Sequence, residues 1–167
     1  CSSDLAIQFM ATRGFVPEGE RFNAEAATTR QEFYKWLLLF AERVPQHSQN
    51  DRLQIELEML QNGEKNATRR EIALALARLL PKNSLKTPYA DVEETTLQNA
   101  LDTLAYYGVK SSLWDSWESY APNGQLLFRP NAPLSHADML QTFYLIQRVS
   151  GSLYRDNPAD FKNGRKP

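Results

Sequence analysis

Cysteine, histidine, net charge and long apolar runs are all scarce in this sequence of 167 residues. One cysteine closes no disulfide within the chain, and two histidines leave a Cys/His zinc site without a ligand set. Lys and Arg number 19 against 20 Asp and Glu. The broad basic surplus of a phosphate-reading protein is therefore missing, and no nucleic-acid partner is expected. The longest apolar cluster, Trp36 to Ala41, is six residues, far short of the roughly 20 that cross a bilayer, so no membrane span is expected. Also lacking are a Gly-x-Ser-x-Gly elbow, a Gly-rich phosphate loop and a His-Glu-x-x-His zinc helix, and no catalytic residue or cofactor is assigned. Acids are plentiful, but Glu32, Glu71, Asp91 and Glu94 read as helix caps and Glu56 and Glu58 as exposed helix faces. A pair of glycosidase carboxylates is not singled out among them.

What is present is a repeat. The length suits one domain or a compact array of small units. Thr29-Arg30-Gln31-Glu32, Thr68-Arg69-Arg70-Glu71 and Ser135-His136-Ala137-Asp138 each place a hydroxyl three residues before an acid. That is the capping-box arrangement, in which the hydroxyl accepts from the N3 amide and the acid reaches back to the cap amide, so each predicts a helix start. Four residues after each cap come Phe33, Ile72 and Met139; eight after, Leu37, Leu76 and Phe143; eleven after, Phe40, Leu79 and Ile146. One apolar helix face is written three times.

The stretch before each cap repeats too. Ala6, Ile7, Met10, Ala11, Gly14 and Phe15 stand 94 residues before Ala100, Leu101, Leu104, Ala105, Gly108 and Val109. An amphipathic helix ending at a glycine C-cap thus recurs. In the middle, Leu53, Leu57 and Leu60 supply a shorter version that ends at Asn62-Gly63. The pattern predicts an all-α domain over 1–149, with helix–loop–helix units at about 1–44, 50–81 and 87–149, and a tail over 150–167. The third unit is acidic, with 2 basic and 7 acidic residues over 87–147, and the last twenty residues are basic, with 5 against 2. Cys1-Ser2-Ser3-Asp4 reads either as the lipidated start of a mature envelope lipoprotein or as a cut through a longer chain.

Tyr89-Ala90-Asp91-Val92, the turn Phe128-Arg129-Pro130-Asn131-Ala132-Pro133 and the Thr-Arg-x-Glu boxes together resemble the S-layer homology (SLH) domains. Repeats of that family open with Phe-x-Asp-Val, run through a helix to a glycine, present a Phe-x-Pro turn and start a second helix at Thr-Arg-Ala-Glu. The likeness spans roughly residues 4–149 and is fullest in the third unit. It implies three units packed as a pseudo-threefold helical prism. It also implies a non-catalytic module of the cell envelope or S-layer that binds peptidoglycan-linked polysaccharide, in that family often through pyruvylated sugar ends, in grooves between units.

The resemblance carries the anionic-sugar contact onto Arg30 and Arg69. A guanidinium at a helix N-terminus, beside free amides and the positive end of the dipole, suits a carboxylate. The third unit has His136 there instead, the middle loop is short, and the first unit lacks its opening motif, so one or two working grooves are expected. Gly14 and Gly108 read as C-caps that would also admit a sugar close to the backbone. Trp114, Trp117 and Tyr120, spaced three apart, read as anchors of an inserted helix or as sugar-stacking platforms. His47, in a polar linker, is given no role. Two other readings stand beside wall anchoring: an SLH scaffold that binds a protein after losing its glycan, and a lipoprotein of other function held at Cys1.

Overall fold

The computed structural model describes residues 8, 11–12, 23–41, 58–59, 61–78, 80–108 and 119–155. They are mostly helical. Among the described residues, four helices have both ends placed, α1 (Arg30–Ala41), α2 (Arg69–Arg78), α3 (Thr95–Tyr106) and α4 (His136–Arg155), and a two-stranded antiparallel ribbon, β1 (Ser119–Tyr120) and β2 (Leu126–Leu127), stands between α3 and α4.

Helices α1, α2 and α4 begin one residue after Thr29, Thr68 and Ser135. The three hydroxyls accept from the amides of Glu32, Glu71 and Asp138 at 3.3, 3.2 and 3.2 Å. Glu32 returns the bond at the Thr29 amide, 3.0 Å away, while Glu71 accepts from the Thr68 hydroxyl at 3.2 Å. Each cap satisfies amides that the first helical turn leaves without a partner.

The segments carrying these caps pair with one another. Thr29 bridges Asn66, Thr68 bridges Pro133 and Ser135 bridges Ala27, all antiparallel, so the three segments close head to tail into a ring. The amide after each cap donates to the carbonyl three residues before the next: Arg30 to Lys65, Arg69 to Ala132 and His136 to Ala26, each at 2.8–2.9 Å. The following amides, of Gln31, Arg70 and Ala137, donate to Gly63, Pro130 and Ala24. Thr28, Ala67 and Leu134, one residue before each cap, lie fully buried where the segments meet. Beneath the ring sit Phe33, Ile72 and Met139, then Leu37, Leu76 and Phe143, all buried. The Phe33 and Phe143 rings lie 6.0 Å apart. Of the deepest layer only Ile146 has a described side chain, and it too is buried.

In the third unit Asp91 does not cap a helix. Its two carboxylate oxygens accept from the amides of Phe128 and Arg129 at 2.9 and 2.8 Å, and the Tyr89 ring packs 5.5 Å from Phe128. The opening motif therefore clamps the turn that precedes the third cap, where Arg129 adopts a left-handed backbone. Glu94 does stand at the N-cap of α3, but its side chain makes no cap bond. Its carboxylate is engaged across the molecule by Arg70. Gly108, φ +75°, ends α3. Before α3, residues 81–87 run back along it as a strap: Asp102 accepts from the Thr87 amide and hydroxyl and from Gln98, and Thr103 donates to the Asn83 carbonyl. Tyr120, placed by its spacing on an inserted helix, is instead extended in β1 and 73% exposed. The turn at Asn123-Gly124, φ +83° at the glycine, folds the chain into a ribbon there.

Candidate functional site

The first helical residues, Arg30, Arg69 and His136, occupy equivalent places in the ring, and each reaches across to the next segment. Arg30 Nε lies 2.7 Å from Glu71 Oε2 and Nη1 donates to the Gln61 carbonyl at 2.6 Å. Arg69 donates through Nη1 to the Phe128 carbonyl at 3.0 Å and through Nε to that of Pro133 at 3.3 Å. His136 Nε2 lies 2.9 Å from Glu32 Oε2, and Nδ1 2.9 Å from the Asn23 carbonyl. Gln61 and Phe128 both stand seven residues before the next cap; Asn23 stands six before Thr29.

Glu71 and Glu32 thus serve twice, capping their own helix and pairing with the first helical side chain of the preceding segment, Arg30 and His136. Half-burial pushes the Arg69 guanidinium below its ordinary value, while Asp138, the third capping acid, attracts it in the opposite sense. Partial burial works to raise the Glu32 carboxyl, but the Thr29 amide and His136 outweigh it and hold it below its ordinary value. Trp36 presents an edge to the His136 ring at 5.6 Å and is itself buried.

A cleft of about 880 Å³ opens between α2 and α3, with Arg30 at one end. That volume falls within the range of small-ligand sites, about 300–1,000 Å³. Its charged lining is built from pairs: Arg30 with Glu71, Arg70 with Glu94 through two bonds of 2.7 and 2.6 Å, and Arg78 with Glu58 at 3.8 Å. The two-bonded contact holds the Glu94 carboxyl below and the Arg70 guanidinium above their ordinary values. Lys82 is the lining cation without an ion pair among the described residues. Asn83, Ser84, Thr96 and Asn99 add neutral polar groups, and Met59, Leu74, Ala77 and Ala100 line it with apolar surface.

Of the described residues to which the sequence assigns a glycan contact, Arg30 lines this cleft; Glu71 and Glu94, read there as caps, and Glu58, read as an exposed helix face, line it too. Arg69 and His136 belong to the other two joints of the ring, and Gly108 lies at the end of α3. Gly14, Trp114, Trp117 and Cys1 lie outside the described residues, as does His47. Arg70, Arg78, Glu94 and Asn99 were not marked beforehand as ligand-facing. Arg70 carried the one available signal, a second arginine inside the second capping box. No cluster of three or more His, Cys, Asp and Glu side chains suited to a metal occurs among the described residues, and none of their helices is long and apolar enough to cross a membrane. No protein-family model matches the chain, and neither a curated protein nor a solved structure matches it.

Proposed function

We propose that the chain is an SLH-like domain of three helix–loop–helix units, closed as a pseudo-threefold prism over residues 1–149. Its proposed role is non-catalytic: fastening an envelope or S-layer protein to peptidoglycan-linked polysaccharide. The observation that carries this reading is the ring itself. Three segments with the same capping chemistry make the same bridge, the same backbone bonds and an equivalent side-chain reach, through Arg30, Arg69 and His136, to their neighbour. An array of that kind offers grooves between units, and the α2–α3 cleft with Arg30 at its end is one of them.

The direct test is sedimentation of the full chain with purified native sacculi before and after hydrofluoric acid strips their polysaccharide. Binding is expected to be lost with the polysaccharide; unchanged sedimentation would sink the glycan reading. One observation favours the rival scaffold that binds a protein: Arg30, Arg69 and His136 each commit two nitrogens to the protein itself. Capture of the chain by a stripped wall that still carries its proteins would support that rival. A lipid at Cys1 would show as added acyl mass on the native N-terminus.

A further inference from the structure

We infer that the α2–α3 cleft is the glycan groove and that it takes an uncharged, hydroxyl-rich stretch of the polysaccharide, not an acidic substituent. This rests on the wall-glycan reading above and adds to it the site and the class of sugar. The first ground is charge. Arg30, Arg70 and Arg78 each already face a carboxylate in the cleft lining, at 2.7, 2.6 and 3.8 Å. An incoming anion would have to displace a resident carboxylate that is tethered beside its cation, or sit against it and be repelled.

The second ground is the pattern of donors and acceptors. A sugar hydroxyl donates one hydrogen bond and accepts others, so neighbouring hydroxyls match donor and acceptor groups set side by side. The cleft presents that alternation in its arginine–glutamate pairs. Arg70 uses Nε and Nη2 on Glu94 and keeps further N–H groups to donate, while the glutamate oxygens keep lone pairs to accept. Between the pairs, the side chains of Ser84, Thr96 and Asn99 make no hydrogen bond to the other described residues. The third ground is the apolar lining of Met59, Leu74, Ala77 and Ala100, a surface for the C–H faces of a sugar ring.

Lys82 separates the two classes of ligand, because an acidic one would depend on a lining cation that pairs with no carboxylate among the described residues. The full chain is sedimented with native sacculi in three forms: intact, freed of ketal-linked pyruvate and other acidic substituents by mild acid with the polysaccharide retained, and stripped by hydrofluoric acid. Binding is expected to be equal on the first two and lost on the third. Lys82→Met is expected to bind within about twofold of the parent, while Asn99→Trp, which fills the cleft from an exposed position on α3, weakens binding about tenfold or more. Thr96→Trp is the second cleft-filling variant, and circular dichroism and thermal melting show that each remains folded.

A drop of about tenfold on mild acid treatment or with Lys82→Met, with stripping still abolishing binding, overturns the neutral-sugar inference and leaves the wall reading standing. Full binding by both folded tryptophan variants overturns the assignment of the cleft. Equal sedimentation with all three forms of sacculi overturns the wall reading and this inference together.

Discussion

Thr28 is a hydroxyl in a place that asks for a methyl. It is fully buried where the three capping segments meet, beside Ala67 and Leu134, and its Oγ1 has no hydrogen-bond partner among the described residues. Its amide and carbonyl are both used, by Leu134 and Ala67, so the backbone is held while the hydroxyl stays desolvated. Thr28→Val keeps the shape and removes the orphan; it is expected to stabilise the fold by about 1 kcal/mol in urea denaturation. Glu32 makes a second prediction at this scale. Its carboxyl is held below its ordinary value of 4.5, so the unfolded chain takes up the proton more readily than the folded one. The stability it contributes is complete above that ordinary value and is lost as the pH falls through the lower folded value. The stability gap between the parent and Glu32→Gln should therefore be constant at neutral pH and close on the acid side of 4.5. Denaturation midpoints across a pH series measure it, and a gap that widens in acid contradicts the role.

At the scale of elements, the capping segments and the clamp before α4 do different work. Asp91 ties the chain just ahead of α3 to the turn ahead of α4 by holding the two consecutive amides of Phe128 and Arg129. Asp91→Ala leaves both amides without their acceptor and is expected to cost about 1.5–3 kcal/mol, with faster amide exchange at 126–130 as the local signature. Two of the three cleft arginines, Arg30 and Arg70, provide a paired comparison. Arg30 and Glu71 are about four-fifths covered, with exposures of 21% and 18%, and Arg30→Met strands a carboxylate, at an expected cost of about 1.5–3 kcal/mol. Arg70 and Glu94 are 41% and 43% exposed, and solvent screens them, so Arg70→Met should change the denaturation midpoint little despite its two bonds to one carboxylate. Equal losses in the two variants would show that the joint at Arg30 is no more structural than the rim pair at Arg70.

Across the whole molecule, three short segments far apart in sequence converge on one buried centre, and the helices they start carry the core down from it. Much of this was written in local pattern. Hydroxyl-to-acid spacing specified where α1, α2 and α4 begin, and the residues four and eight after each cap specified which face is buried, because both depend on the helix period alone. The strand at Tyr120 escaped that logic: a three-residue spacing of aromatics looks helical, and the turn at Gly124 decided otherwise. Asp91 and Glu94 escaped it too, since an acid ahead of a helix looks like a cap until a backbone amide 37 residues away or a guanidinium 24 residues away claims it. The cleft was the least legible feature, as its lining comes from α2, α3 and residues outside them that meet only in three dimensions. By itself the sequence determined the helix starts, the buried stripe and the absence of a broad charged face, all properties of neighbours along the chain. Only the tertiary structure decided that the first-turn cations face carboxylates and carbonyls of another segment, because Coulomb attraction and hydrogen bonding act on distance in space, whatever the separation along the chain.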